Sequence, residues 1–97
     1  MSDFIAELVE LIGDRKANPK EDSCTNKLLA DRAKAAQKVG EEATEVVVAA
    51  LVQSDERLVS EMADLVYHSL VLLETRNLRW TDVVAELARR HNLPSQA

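Results

Sequence analysis

Two pairs of carboxylates recur at helical spacing. Glu42 and Glu45 form the first pair, with Glu41 directly before it, and Glu61 and Asp64 form the second. Residues three apart on a helix share a face, so each pair points two carboxylates in one direction. Glu61 and Asp64 share their face with Leu58, Leu65 and Leu72, which is the apolar stripe of that segment. Glu42 and Glu45 share an arc with Lys38 and Ala49, and Glu41 lies toward its edge. A connection of a few residues makes the two helices antiparallel neighbours, which brings the two pairs to similar heights on facing helices. Four inward carboxylates repel one another, and buried unpaired charge costs on the order of several kcal/mol per ion. A hard divalent cation compensates for this, because it prefers oxygen ligands; Mg²⁺ in particular is held by a few carboxylates together with substrate phosphates. The spacing therefore predicts a Mg²⁺ site at Glu42, Glu45, Glu61 and Asp64. A solvated acidic helix face is the plainer alternative.

The surrounding charge is segregated. Residues 14–38 carry the bases Arg15, Lys16, Lys20, Lys27, Arg32, Lys34 and Lys38 against four acids, whereas residues 39–64 carry seven acids and only Arg57. A basic arm beside an acidic cluster suits an anionic substrate held through a metal ion. His68 follows Asp64 by four residues on the same face and reads as a core or interface histidine, since an oxygen-ligand site for Mg²⁺ does not want an imidazole. His91, beside two arginines, reads as surface, and Trp80 as a packing residue at the start of the last helix.

Four helical stretches must position these groups. Phe4, Ile5, Leu8, Val9, Leu11 and Ile12 recur at helical spacing over about residues 2–13, with Gly13 as the expected C-terminal stop. Residues 14–24 read as a loop, with Asn18-Pro19 as a turn signal and Asp22-Ser23 as capping chemistry. A long helical region follows from Thr25 to Val52, with a kink or break expected at Gly40 because glycine costs a helix about 1 kcal/mol. Val46 to Val52 is apolar on every side, so it should be buried all round; in a chain this short that predicts a second subunit. Residues 53–55 connect to a third helix from about Glu56 to Thr75. Thr81 is the expected N-cap of a last helix ending near His91, and the tail Leu93–Ala97, with Pro94, should fray.

Composition narrows the class. The chain has 97 residues, 46 % of them hydrophobic, a net charge of −5, two Gly, two Pro, one Cys and three aromatic residues in all. Wholesale disorder is excluded by the apolar content, and a sandwich or barrel by the shortage of turn residues. One Cys builds neither an internal disulfide nor a cysteine zinc site. The acidic balance argues against a nucleic-acid partner, no apolar run approaches the ~20 residues of a membrane span, and the start lacks a secretory signal. The expectation is one cytoplasmic all-α domain over 1–97, a four- to five-helix antiparallel bundle completed as a homodimer or a dimer of dimers.

The run Lys38-Val39-Gly40-Glu41-Glu42-Ala43-Thr44-Glu45, followed by Glu61-Met62-Ala63-Asp64-Leu65-Val66-Tyr67-His68, strongly resembles the phosphoribosyl-ATP pyrophosphatase family of MazG-type all-α nucleotide pyrophosphatases. The superfamily signature is Glu-Glu-x-x-Glu, a spacer, then Glu-x-x-Asp; the Lys-Val-Gly prefix and the Tyr-His after Asp64 narrow it to that branch. Ser23-Cys24-Thr25-Asn26-Lys27-Leu28-Leu29 is similar to the family's Ser-aromatic-Thr-x-Lys-Leu element, except that Cys24 replaces the aromatic. The stretch Asn77 to Val83 is similar to its final helices. The resemblance implies hydrolysis of the α–β phosphoanhydride of phosphoribosyl-ATP to phosphoribosyl-AMP and pyrophosphate, the second step of histidine biosynthesis. It also implies Mg²⁺ on Glu42, Glu45, Glu61 and Asp64, and Glu41 as an outer carboxylate or a group that orients water. Such hydrolysis needs charge neutralisation and in-line water but no covalent nucleophile, and Cys24 has no histidine in its loop to activate it. Lys27 and Lys38 become candidate phosphate contacts, with Arg15 and Lys16 weaker ones. A house-cleaning nucleoside triphosphate pyrophosphatase is the alternative. A di-iron bundle would need Glu-x-x-His pairs, and a non-enzymatic helical module would leave the inward carboxylates unexplained.

Overall fold

The computed structural model describes residues 4–91. The chain folds into α1 (Phe4–Ala17), α2 (Cys24–Leu29), α3 (Arg32–Val52), α4 (Asp55–Thr75) and α5 (Trp80–Arg90), with no strand among the described residues. The expected fraying tail at 93–97 lies outside the described residues, as do residues 2 and 3 of the expected first helix.

The two 21-residue helices α3 and α4 form an antiparallel hairpin, and this pair positions the site. Its turn is Gln53-Ser54, and Ser54 caps α4 by accepting from the Arg57 backbone N–H at 3.2 Å. α1 and α2 pack across α4. The core gathers Ile12 of α1, Ala35 of α3, and Leu70 and Val71 of α4, ringed by Leu8, Val9, Leu28, Leu29, Val66, Tyr67, Leu72 and Trp80. It occupies the N-terminal half of α3 and the C-terminal half of α4. On the other half, only Ala49 is a fully buried apolar residue.

Three expectations about helix ends are corrected. α1 does not stop at Gly13; it continues to Ala17, and Asn18 still donates to the Asp14 carbonyl at 2.7 Å. The Arg79 guanidinium, the far end of a flexible side chain, lies over Gly13, where a Cβ would meet it and require it to shift. The break in the second region falls at Ala30-Asp31, not at Gly40. Asp31 Oδ1 accepts from the Lys34 N–H at 3.1 Å and starts a new helix, while Ala30 closes α2 on the Asn26 carbonyl at 3.0 Å. Gly40 sits exposed inside an unbroken α3, so packing along the hairpin outweighs its propensity cost. The cap of α5 is Arg79 rather than Thr81, since the Asp82 carboxylate accepts from the Arg79 N–H at 2.8 Å from inside the first turn. As expected from Asp22-Ser23, Ser23 caps α2 through the Asn26 N–H at 3.2 Å. Just past the end of α4, Asn77 takes a φ of 60°, the left-handed conformation that Asn tolerates; Leu78 and Asn77 donate to the Leu73 and Glu74 carbonyls, each at 3.0 Å.

The stretch expected to be buried all round is exposed on its own chain: Val47 is 56 % exposed, Leu51 77 % and Val52 75 %. None of the helices described is long and apolar enough to cross a membrane.

Candidate active site

The α3–α4 seam carries the chemistry. Glu42 and Glu45 of α3 and Glu61 of α4 each bring a carboxylate oxygen to within 4.8 Å of the others. Glu42 and Glu61 are buried, and Glu45 closes the group from the exposed side. As ionised carboxylates, Glu42 Oε2 and Glu61 Oε2 are enclosed without a hydrogen-bond partner. Such orphaned oxygens are costly unless a proton or a cation meets them.

Their proton affinities show this strain. Burial pushes the Glu42 carboxyl up to about 7, helped by hydrogen bonding to Glu45 and by the charges of Glu45 and Asp64, and opposed by Lys38. Glu61 is also pushed up, chiefly by a hydrogen bond shared with Glu45, then by burial and repulsion. Glu45 is held below the usual carboxylate range because it accepts hydrogen bonds from protonated Glu61 and Glu42. Two buried carboxyls whose proton affinity is raised, beside a third that is held ionised, form a fitting oxygen set for a hard divalent cation.

Asp64, read from the sequence as the fourth ligand, is exposed and stands outside the three-oxygen group, though its charge is felt at both Glu42 and Glu61. Glu41 is exposed too. It accepts from Gln37 Nε2 at 2.7 Å and pairs with Lys38 Nζ at 3.5 Å, and these contacts hold its carboxyl below the usual range. Lys38 is half-buried and reaches Glu42 at 3.8 Å, so of the candidate phosphate contacts it alone adjoins the carboxylates. Arg15 pairs with Asp14 at 3.5 Å and, with Lys20, Glu21, Asp22 and Ser23, lines a separate open cavity of about 500 Å³. Lys27 is exposed and makes no ion pair among the described residues. Lys16 is drawn away from any site, donating to the Glu74 carbonyl at 2.8 Å and to Asn77 Oδ1.

Arg57 was missed in the sequence. Its Nη2 donates to Glu61 Oε1 at 2.5 Å, so it is the cation that partly neutralises the buried carboxylate. The signal was present: Arg57 is the only base in the acidic block and stands four residues before Glu61.

The chain matches, over residues 5–91, the family model described as Phosphoribosyl-ATP pyrophosphohydrolase. It is 48 % identical to a Phosphoribosyl-ATP pyrophosphatase of Sulfurisphaera tokodaii, over 92 % of this chain and 96 % of that one. It is 41 % identical to the protein of the same name from Clostridium acetobutylicum, over 93 % and 83 %. It is also 45 % identical to the Histidine biosynthesis bifunctional protein HisIE of Pasteurella multocida, over 91 % of this chain but 44 % of that larger protein.

Proposed function

The chain belongs to the phosphoribosyl-ATP pyrophosphohydrolase family, and from that premise we propose that it hydrolyses the α–β phosphoanhydride of phosphoribosyl-ATP, with Mg²⁺ held on the α3–α4 seam. The products are phosphoribosyl-AMP and pyrophosphate, and the role is in histidine biosynthesis. The observation that carries this reading is the set of three carboxylates from two helices within 4.8 Å, two of them buried with an unpartnered oxygen.

Glu42, Glu45 and Glu61 hold the cation, and Asp64 adds charge at the rim. When bound, the ion supplies positive charge against the phosphate oxygens as the anhydride breaks. Lys38 meets the phosphate chain from the basic side. Glu41, ionised and outside the ligand group, is the carboxylate free to orient the attacking water. Arg57 leaves the metal its share of Glu61 through Oε2, since it engages Oε1. Lys27 and Arg15, which do not adjoin the carboxylates, are further candidate phosphate contacts.

The assembly is a homodimer or a dimer of dimers, with a second copy covering Val47, Val48, Leu51 and Val52. Five buried apolar residues among the described residues make a thin core for a chain of this length, and the exposed α3 face supplies what is missing.

The deciding experiment is Mg²⁺-dependent pyrophosphate release from phosphoribosyl-ATP, run beside the common ribo- and deoxyribonucleoside triphosphates. Turnover should be fastest on phosphoribosyl-ATP and stop with chelator. Faster release from the common triphosphates would overturn the substrate assignment in favour of a general nucleotide pyrophosphatase.

A further inference from the structure

Along the α3–α4 seam the facing residues change character in steps, all in one antiparallel register. Glu45 is hydrogen-bonded to Glu61, and Glu42 feels Asp64. One turn further on, Lys38 feels His68, and beyond them Ala35 and Val71 close the dry core. The seam thus runs from carboxylates, through a layer of one ammonium and one imidazole, to hydrocarbon. The enclosed, partnerless polar side-chain atoms among the described residues all lie on it: Glu42 Oε2, Glu61 Oε2 and His68 Nδ1.

The two carboxylate oxygens await a cation, but His68 Nδ1 does not, because it is walled in. Among the described residues neither ring nitrogen of His68 has a hydrogen-bond partner, and Nδ1 is enclosed while Nε2 is not. A buried N–H without an acceptor is rarer than a buried lone pair without a donor. The proton of the neutral ring therefore sits on Nε2, the ring nitrogen that the chain does not enclose. The ring is kept neutral by its partial burial and by Lys38, against the opposing charges of Asp64 and Glu41, and the Tyr67 ring packs edge-on against it with centroids 5.0 Å apart. A protonated Nε2 cannot ligate a metal. Nor is His68 explained as core filling, since an apolar side chain would leave no stranded Nδ1.

We propose that His68 contacts the substrate, donating Nε2–H to a non-bridging oxygen of the triphosphate chain beside the Lys38 ammonium. The inference rests on the phosphoribosyl-ATP reading and adds a residue to it: the phosphate chain lies along the seam, held at one end over the carboxylates and at the other by a directional neutral donor and a point charge. Lys38 supplies attraction, and His68 fixes which oxygen faces the seam.

The test compares His68→Gln with His68→Asn, and both with wild type. The glutamine amide reaches the place of Nε2, whereas the asparagine amide reaches only the place of Nδ1. Binding of pyrophosphate and of phosphoribosyl-AMP to the Mg²⁺-loaded protein is measured by calorimetry, KM and kcat on phosphoribosyl-ATP are measured in parallel, and melting is followed for each variant. His68→Asn should weaken product binding and raise KM about tenfold, as for one lost hydrogen bond to a charged group, while His68→Gln stays within about threefold of wild type and Mg²⁺ affinity is unchanged in both. Loss confined to pyrophosphate assigns the contact to the leaving phosphates, and loss confined to phosphoribosyl-AMP assigns it to the α-phosphate; either supports the proposal. Equal binding by wild type and His68→Asn, or equal loss in Asn and Gln variants that melt like wild type, would overturn it. Absence of wild-type turnover on phosphoribosyl-ATP would instead sink the reading beneath it, since the pyrophosphate arm is scored without turnover.

Discussion

Mg²⁺ binding should expel a proton, and Glu42 gives the size of the effect. Its carboxyl is pushed up to about 7 by burial and by its neighbours Glu45 and Asp64. The sign follows from linkage. A folded pKa above the ordinary value of 4.5 means that the metal-free fold favours the protonated acid. The resulting stability is fully present below that ordinary value and is lost as pH rises through about 7. A cation competes with the same proton, so its affinity moves the other way. With half-titration near 7, Glu42 is ionised in about a tenth of molecules at pH 6, about half at pH 7 and about nine-tenths at pH 8. Mg²⁺ should therefore bind about tenfold more weakly at pH 6 than at pH 8, and should release about half a proton from this residue at pH 7. Glu61 is shifted the same way, which can only steepen the slope. Calorimetric titration with Mg²⁺ at pH 6, 7 and 8, in two buffers of different ionisation enthalpy, reads both quantities. Glu42→Gln should lose the binding and, without metal, should melt at a temperature that depends less on pH across this range than that of wild type. A dissociation constant flat from pH 6 to pH 8, with no buffer-dependent heat, would refute the argument that a buried proton holds the place of the cation.

Three further outcomes follow from the same geometry. Glu45→Gln should abolish Mg²⁺-dependent pyrophosphate release while far-UV circular dichroism stays helical; surviving activity would remove Glu45 from the metal site. Gly40→Ala should raise the melting temperature, because an added Cβ meets nothing within 4 Å and alanine gains about 1 kcal/mol over glycine in a helix, or roughly 4–8 °C for a domain of this size. A fall instead would mean that something outside this chain packs against that point. Wild-type protein should scatter light as a dimer or larger at micromolar concentration, and Leu51→Asp combined with Val52→Asp should shift the mass toward the monomer; a monomeric wild type would end the proposal that a second copy covers α3.

Much of the site was legible because it is periodic. Glu42, Glu45 and Glu61 sit on one seam of two helices, and spacing alone brought them to facing positions. Asp64 shows the limit of that logic: a step of three residues turns a helix by about 60° short of a full circle, enough for Glu61 to point inward while Asp64 stays at the edge. Where the expectations failed, the cause was distant contact or a competing cap. Gly13 looked like a helix stop, but α1 runs through it to Ala17, beside Arg79, which is 66 residues on in the chain and pairs with Glu10 of α1 at 2.8 Å. Gly40 looked like a break because local propensity is visible in sequence while the packing of a long hairpin is not. The true break, at Ala30-Asp31, was carried by a capping aspartate that resembles any other charge in a basic stretch. His68 reads from the sequence as a core or interface histidine, because spacing cannot show that its Nδ1 is enclosed with no partner among the described residues.

The halves of the hairpin do different work. Near Ala35 and Val71 the seam is dry, and α1 and α2 hold it. Toward Val52 and Asp55 the seam buries Ala49 and Glu61, and the flanking apolar side chains remain exposed. The carboxylates stand at the boundary, with Glu45 and Glu61 on the half that its own chain covers least. Once they ionise, these carboxylates repel one another across α3 and α4, and among the described residues Lys38 and Arg57 pair with them. A divalent ion would draw the same two helices together, and a second copy on Val47, Leu51 and Val52 would fix the end of α3 from outside. Both act on the same end of the hairpin, so by reciprocal linkage each should strengthen the other if both favour one arrangement of the two helices. That coupling gives a reason for an enzyme this small to leave its most apolar helix face uncovered beside its most charged site.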